Sequence, residues 1–356
     1  MPVGTFAIFW FRFTKNSGMQ IEHNISLKPY NTFGIDVKAK AIASFSSADD
    51  LREILKDNDL KQLPKLILGG GSNLLFTKDF DGLVLKNNIS GIACIKEDKD
   101  YFYVKAGAGE NWHEFVMTCL KNNWAGLENL SLIPGNVGAS PMQNIGAYGI
   151  EIKDRFDHLE AFNLETGKVE IFDAASCEFG YRESVFKRRF KDKYVIISVT
   201  FKLLKNPDYQ VKYGAITTEL EEMGVDDLSI HAISQAVINI RNSKLPNPKD
   251  LANAGSFFKN PVISAEQWEK ISASHPEIPN YPAPGNQIKL AAGWLIEHAG
   301  WKGKRIGNVG MHARQALVLV NYGGATGQEL YDHSTRVKNS VFEKFGVELE
   351  REVNIV

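Results

Sequence analysis

The chain has 356 residues, 44% of them hydrophobic and 23% charged, ordinary proportions for a globular protein with material for two or three domains. Lys+Arg 41 against Asp+Glu 42 leave a net charge of −1, so no global field favours nucleic acid and a polyanionic ligand must meet local cations. Cys94, Cys119 and Cys177 are odd in number and not in CxxC spacing. That argues against a disulfide framework or a zinc site and fits a reducing cytoplasm.

Residues 4–13 (GTFAIFWFRF) are apolar and aromatic, but about ten residues are too few to span a bilayer. They lack a basic flank and a cleavage site, so they make a poor signal peptide. We read residues 1–18 as an extension, or as a start assigned upstream of Met19, and give them no functional weight.

From Asn31 onward, short apolar runs alternate with glycine turns and amphipathic stretches. Strands are predicted at 41–45, 66–68, 82–86 and 101–106, with helices at 49–56 and Trp112–Lys121. This interleaving predicts an α/β or α+β domain. Gly69-Gly70-Gly71-Ser72-Asn73 follows the second strand. It fails the dinucleotide fingerprint, because GxGxxG from Gly69 needs glycine where Leu74 stands, and from Gly107 where Trp112 stands. The segment is either a tight turn or a nest of backbone N–H groups for a pyrophosphate.

Residues 132–149 (LIPGNVGASPMQNIGAYG) form a long loop with neither helical nor strand periodicity. It is too apolar for disorder, and its small residues and free amides suit a flat cofactor. Strands follow at 159–163, 169–172 and 195–203. Between the last two, Arg182 stands among aromatic neighbours in 179–186 (FGYRESVF), either against a structural carboxylate or clamping an anion. An amphipathic helix at 230–241 opens the second half, and a last short helix is expected at 341–345.

Residues 253–261 (NAGSFFKNP) are the most informative stretch. Ala254 and Gly255 leave room beside the backbone, Ser256 offers a hydroxyl, Phe257 and Phe258 a dry wall, and Lys259 a cation. The segment either binds a ligand or is a turn whose aromatics pin a strand. Residues 347–353 (VELEREV) read as a closing strand with Glu348, Glu350 and Glu352 on one, ordinarily solvent-facing, side.

Together, 70–76 (GGSNLLF), 133–138 (IPGNVG), 143–149 (QNIGAYG), 180–186 (GYRESVF) and 253–261 resemble the UDP-N-acetylenolpyruvoylglucosamine reductases, in the expected order over roughly residues 24–353. Tyr213-Gly214, 279–282 (PNYP) and 289–296 (KLAAGWLI) look like the type I branch, in which a tyrosine loop closes over the substrate. The resemblance implies an α+β fold: an FAD-binding domain of the vanillyl-alcohol-oxidase type at 19–228, split near 86, then a substrate-binding domain at 229–356. The last strand of the latter would pack back on the FAD domain.

The resemblance also implies NADPH-dependent reduction of an enolpyruvyl ether of a UDP-sugar through non-covalent FAD, for peptidoglycan precursor synthesis. Ser256 would protonate the α-carbon, Arg182 hold the carboxylate and Glu352 polarise it, working protonated or in a network. FAD would lie along Gly69, Gly70, Gly71, Ser72, Asn73 and Leu74, and along Ser140, Gln143, Asn144 and Gly146. Tyr213, Lys244, Asn260 and Gln315 would contact the nucleotide or sugar. We expect a cytoplasmic protein with no metal, nucleic-acid or membrane partner, and a monomer because nothing reads as an oligomerisation helix. Arg351 stands where the family often has proline. A covalent flavin oxidase of the same fold would need His or Cys beside the flavin, which 69–76 lacks, and a bare nucleotide-binding module would not need Arg182, Ser256 and Glu352 together.

Overall fold

The computed structural model describes residues 21–356, so the expectations for residues 1–18 lie outside the described residues. The first sheet has Lys38–Phe45 and Phe80–Asn87 at its centre, flanked by Ile21–Ser26 and Lys65–Leu68. Ile21–Ser26 pairs antiparallel and the other two contacts are parallel. Parallel strands need crossovers, and here the helices Ala48–Ile54 and Asn58–Gln62 supply one. Ser47 caps the first by accepting from the Asp50 N–H, and Asp57 caps the second.

The second sheet is antiparallel, in the order Val169–Asp173, Phe156–Asn163, Tyr194–Leu204, Tyr101–Gly107, Ile92–Glu97. The helix Trp112–Lys121 covers it, burying Trp112, Phe115, Val116, Cys119 and Leu120. Phe115 and Trp112 meet Phe201 of the central strand at ring-centroid distances of 5.2 and 5.8 Å. The helix Ile230–Lys244 packs on Gly214–Glu222, and Ser234 bonds Ser131 at 2.7 Å.

The C-terminal part has a four-stranded sheet, Ala252–Ser256, Val318–Asn321, Val309–Met311 and Arg305–Ile306, and a small sheet of Val262–Ser264, Gln287–Leu290 and Asn280–Ala283. One continuous core joins it to the first sheet: Leu68, Leu75, Phe76 and Val84 cluster with Phe257, Phe258, Leu319, Val341 and Val353.

Two expectations at the C-terminus are corrected. The short helix expected at 341–345 is the end of a 19-residue helix, Gly327–Phe345, opened by a Thr326–Glu329 capping box and closed by Gly346 at φ +66°. Its inward stripe is Leu330, His333, Ser334, Val337, Val341 and Phe345, and the two polar members hide the helical period. Residues 347–353 are not a continuous strand. Only Arg351 forms a bridge, to Phe258, and the ladder starts at Asn354–Ile355, parallel to Leu74–Leu75.

Candidate active site

The loop between Lys65–Leu68 and Leu74–Leu75 contains the three glycines. Gly71 sits at φ +65°, and a Cβ there would lie 1.9 Å from the Tyr30 carbonyl oxygen, so the position admits only glycine. A Cβ on Gly70 would stand 2.8 Å from Asn136 Oδ1, and one on Gly138 2.6 Å from the Ala108 Cβ. Segments 69–71, 107–109 and 135–138 therefore converge backbone to backbone. Lys86 reaches beneath the first loop to donate to the Gly69 carbonyl. These turns wall a cleft of about 1300 Å³ that also touches Ile196, Met142 and Glu352. That exceeds the roughly 300–1,000 Å³ of an ordinary small-molecule site and suits a dinucleotide. Of the glycine loop it is Gly69 that lines the cleft, with Ala108 and Gly138 beside it, small residues that leave this wall open to a pyrophosphate.

The loop 132–149 folds into two 3-10 turns, Val137–Ala139 and Pro141–Gln143, and a hairpin between Gly146–Ala147 and Ile150–Glu151. Of the cofactor residues expected here, Ser140 is buried and donates to the Val137 carbonyl at 2.7 Å. Asn144, buried at φ +45°, donates to Glu151 at 2.9 Å and to the Gly180 carbonyl at 3.0 Å. Both side chains shape the loop, and the Ser140 N–H and carbonyl are themselves bonded within it, to Val137 and Ile145. Gln143 turns the other way. It accepts from Asn73 at 3.1 Å and donates to Glu352 Oε1 at 3.0 Å, which links the glycine loop to the last acidic side chain of the sequence. The Gly146 carbonyl accepts from Arg182 at 2.6 Å.

Ser256, Arg182 and Glu352 come from three distant parts of the sequence, and Glu352 lines this cleft. Arg182 Nε lies 3.3 Å from Glu352 Oε1, with side chains 19% and 14% exposed. Glu352 donates its N–H to the Phe257 carbonyl at 2.8 Å, which places it beside Ser256. The Ser256 strand is irregular: its register slips between Asn253 and Ser256, and Gly255 is at φ +68°. This bulge turns the hydroxyl residue outward while Phe257 and Phe258 stay buried. Arg182 itself holds φ +54°, a conformation that costs a non-glycine residue about 1–3 kcal/mol and persists only where surroundings enforce it.

Burial pushes the Glu352 carboxyl above its ordinary range, and Arg182, Lys187, Lys259 and Gln143 pull the other way. Burial also holds the Lys187 ammonium below its usual pKa, with Lys259 adding repulsion. For Lys259, burial disfavours the charge, but bonds to Glu350 and Glu183 outweigh it and raise its pKa. Arg351, in the position where the resemblance leads one to expect proline, donates to Ser334 at 2.8 Å and Thr335 at 2.6 Å. It thereby ties the Glu352 segment to the long helix.

Residues 39–173 match the FAD binding domain family, and residues 247–356 match the C-terminal domain family of UDP-N-acetylenolpyruvoylglucosamine reductase. Over 339 residues the chain is 51% identical to the UDP-N-acetylenolpyruvoylglucosamine reductase of Flavobacterium johnsoniae, covering 95% of this chain and 100% of the relative. The chain belongs to the UDP-N-acetylenolpyruvoylglucosamine reductase family. The Pseudomonas putida reductase of that name is 49% identical over 337 residues, 95% of this chain and 99% of its own. The reductase structure from Thermus caldophilus shares the fold, with a TM-score of 0.67 over 95% of this chain and 99% of that one, at 22% identity. The expected α+β fold, an FAD-binding domain followed by the family's C-terminal domain, is the fold of this chain.

Of the substrate residues the family resemblance implies, Asn260 and Gln315 lie near Ser256. The Asn260 Oδ1 accepts from the Ala292 N–H at 2.9 Å. Gln315 shapes the turn into Val318, the ladder partner of Ser256. Lys244 is the exposed last residue of Ile230–Lys244. Tyr213 is half-exposed and packs edge-on against Tyr148 at 5.4 Å. Sequence reasoning gave no site role to Lys187 or Lys259, whose side chains are 19% and 7% exposed. For Lys259 the signal was its place in 253–261. Lys187 stands in a basic run, 187–193 (KRRFKDK), that reads as solvated surface.

Proposed function

We infer that this chain catalyses the NADPH-dependent reduction of UDP-N-acetylglucosamine enolpyruvate to UDP-N-acetylmuramate through FAD, a step of peptidoglycan precursor synthesis. The observation that carries the reading is the Arg182–Glu352 pair, 3.3 Å apart, in which Glu352 both lines the cleft and bonds Phe257, the residue after Ser256. A bound FAD would supply the hydride chemistry between NADPH and the β-carbon of the vinyl group. Negative charge then builds on the α-carbon and spreads into the carboxylate.

Arg182 holds that carboxylate with its planar fork and strengthens its grip as the charge grows. Glu352, its pKa raised by burial, carries the proton that spares the pair a clash between two carboxylates. Ser256 gives its hydroxyl proton to the α-carbon and, being exposed, regains one from solvent. Asn260, Gln315, Lys244 and Tyr213 form the nucleotide and sugar side of the site. Gly69–Asn73 and Leu74 would hold the pyrophosphate, and the flavin would lie along Ser140, Gln143, Asn144 and Gly146.

We assign residues 19–228 to the FAD domain and 229–356 to the substrate domain, and read the protein as a cytoplasmic monomer. Among the described residues no helix is long and apolar enough to cross a membrane. The test is NADPH oxidation with and without UDP-N-acetylglucosamine enolpyruvate, followed by the mass of the product, which must gain two hydrogens. Acid precipitation must release all the flavin into the supernatant. Substrate-independent NADPH oxidation with unchanged substrate mass refutes the reading.

A further inference from the structure

Lys259 is more deeply buried than the groups assigned to the chemistry, yet it touches none of the reacting atoms in the reading above. Its side chain is 7% exposed, and its ammonium bonds Glu350 Oε1 at 2.5 Å and Glu183 Oε1 at 3.2 Å. Those partners lie on the two segments that must meet for the site to exist. Glu183 adjoins Arg182 in a turn closed by reciprocal backbone bonds between Gly180 and Glu183, at 3.0 and 3.3 Å. Glu350 lies two residues before Glu352.

The backbone repeats the connection. Lys259 donates its N–H to the Glu350 carbonyl at 2.9 Å, and Glu352 donates to Phe257 at 2.8 Å. Residues 257–259 thus run alongside 350–352 with Ser256 at one end. Lys187 closes the other side, donating to the Arg182 carbonyl at 3.3 Å and standing 3.9 Å from Glu183. Arg182 holds a left-handed backbone that its own side chain does not favour, so the contacts around its turn fix it.

We propose that Lys259 is a positioning residue for the reduction: a buried cation that clamps the Arg182 turn to the Glu352 segment and sets the charge around that pair. This rests on the functional reading above. Glu352 is faced by Arg182 and Tyr181 from the turn, Lys187 from the adjoining 3-10 turn, Lys259 from the Ser256 segment, and the neutral Gln143. Lys259 is faced by Glu183, Glu350 and Lys187. A cation favours the ionised form of a nearby carboxyl, so removing Lys259 keeps Glu352 protonated to higher pH. Removing the negative charge of Glu350 leaves Lys259 less neutralised and does the reverse.

The test uses the FAD-loaded protein and stopped-flow absorbance of the flavin with each substrate in turn. In Lys259→Met, flavin reduction by NADPH stays within about twofold. Reoxidation by the enolpyruvyl substrate slows ~10–100-fold, the scale of a site loosened by a fraction of an ångström to an ångström. The loss falls on kcat more than on KM, and Lys259→Arg recovers most of it. Infrared titration of the Glu352 carboxyl, assigned by difference from Glu352→Gln, moves to higher pH in Lys259→Met and to lower pH in Glu350→Gln.

The Glu350 carboxylate is 70% exposed, so Glu350→Gln folds and decides the matter alone if Lys259→Met does not. Equal slowing of both half-reactions with no rescue by arginine, or a Glu352 titration that moves in neither variant, overturns the proposal. The titration needs no substrate. If the unsubstituted protein fails to reduce the UDP-sugar, the functional reading falls, while the opposite titration shifts still judge the clamp.

Discussion

Gly71→Ala tests the glycine loop most severely, because two costs can be separated. The first is conformational: at φ +65°, alanine pays about 1–2 kcal/mol for the left-handed region. The second is a collision. The new Cβ would stand 1.9 Å from the Tyr30 carbonyl oxygen, where ordinary contact begins at 3.4 Å, so the loop must withdraw by 3.4 − 1.9 = 1.5 Å. The wall cannot yield instead, because the Asn31 amide binds the Leu27 and Ile35 carbonyls at 2.8 and 2.9 Å. In the proposed cofactor site a displacement of that size breaks N–H bonds to the pyrophosphate, each worth about 1.5–3 kcal/mol to a charged acceptor. Two such bonds amount to ~3–6 kcal/mol, or ~10²–10⁴ in Kd. Gly34→Ala is the control, since it has nearly the same φ of +64° and nothing within 4 Å. Titrating stripped protein with FAD, followed by flavin fluorescence, should show the full loss in Gly71→Ala. In Gly34→Ala it should show only a lower Tm, with Kd changed by less than about threefold. Unaltered FAD affinity in Gly71→Ala would remove this loop from the cofactor site.

Three other outcomes are expected. Ser256→Ala should leave NADPH reduction of the flavin near normal and slow substrate-driven reoxidation by ~10²–10⁴, with Ser256→Cys recovering part; equal slowing of both halves, by stopped flow, excludes the serine as acid. Arg182→Lys keeps the charge but loses the fork, so steady-state kinetics should show kcat falling more than KM rises, and a change in KM alone would make Arg182 a binding residue. His333 is 3% exposed, its Nε2 lacks a partner, and burial holds its pKa down at about 4, below the unfolded 6.5. The unfolded chain therefore takes up the proton first. About 3 kcal/mol of stability present above pH 6.5 is lost as pH falls towards 4, and His333→Leu should flatten that slope in urea titrations.

The parts of the site legible in sequence were those where backbone geometry dictates residue type. Gly71 and the run 253–261 announce themselves because no side chain fits where a loop meets a turn or a strand must bulge. The carboxylates did not. Alternation in 347–353 sets Glu348, Glu350 and Glu352 on one side, and the first two are indeed 81% and 70% exposed. Glu352 is 14% exposed because Gln143 and Arg182 draw it in, and both lie well over a hundred residues away in the chain. Lys259 is hidden for the same reason, since Glu183 and Glu350 are its partners only after folding. The helix Gly327–Phe345 was shortened because its buried stripe contains His333 and Ser334.

The charges around Arg182 link that folding problem to the chemistry. Arg182, Lys187 and Lys259 face Glu183, Glu350 and Glu352, three cations against three carboxylates, so the resting cluster is balanced. A substrate carboxylate docking on Arg182 adds a fourth negative charge to a site where burial already disfavours ionisation of Glu352. Two bare carboxylates at one guanidinium are costly, and the least costly relief is a proton on Glu352, the most buried of the three. That proton restores the balance and makes Glu352 a donor to the carboxylate into which the enolate charge flows. The proposed reaction then needs acids at two places, and we assign Glu352 to the carboxylate and Ser256 to carbon. The bond from the Glu352 N–H to the Phe257 carbonyl keeps them adjacent without placing both on one element. Loss of Glu352 should therefore weaken binding of the anionic substrate less than it slows the step in which the charge forms.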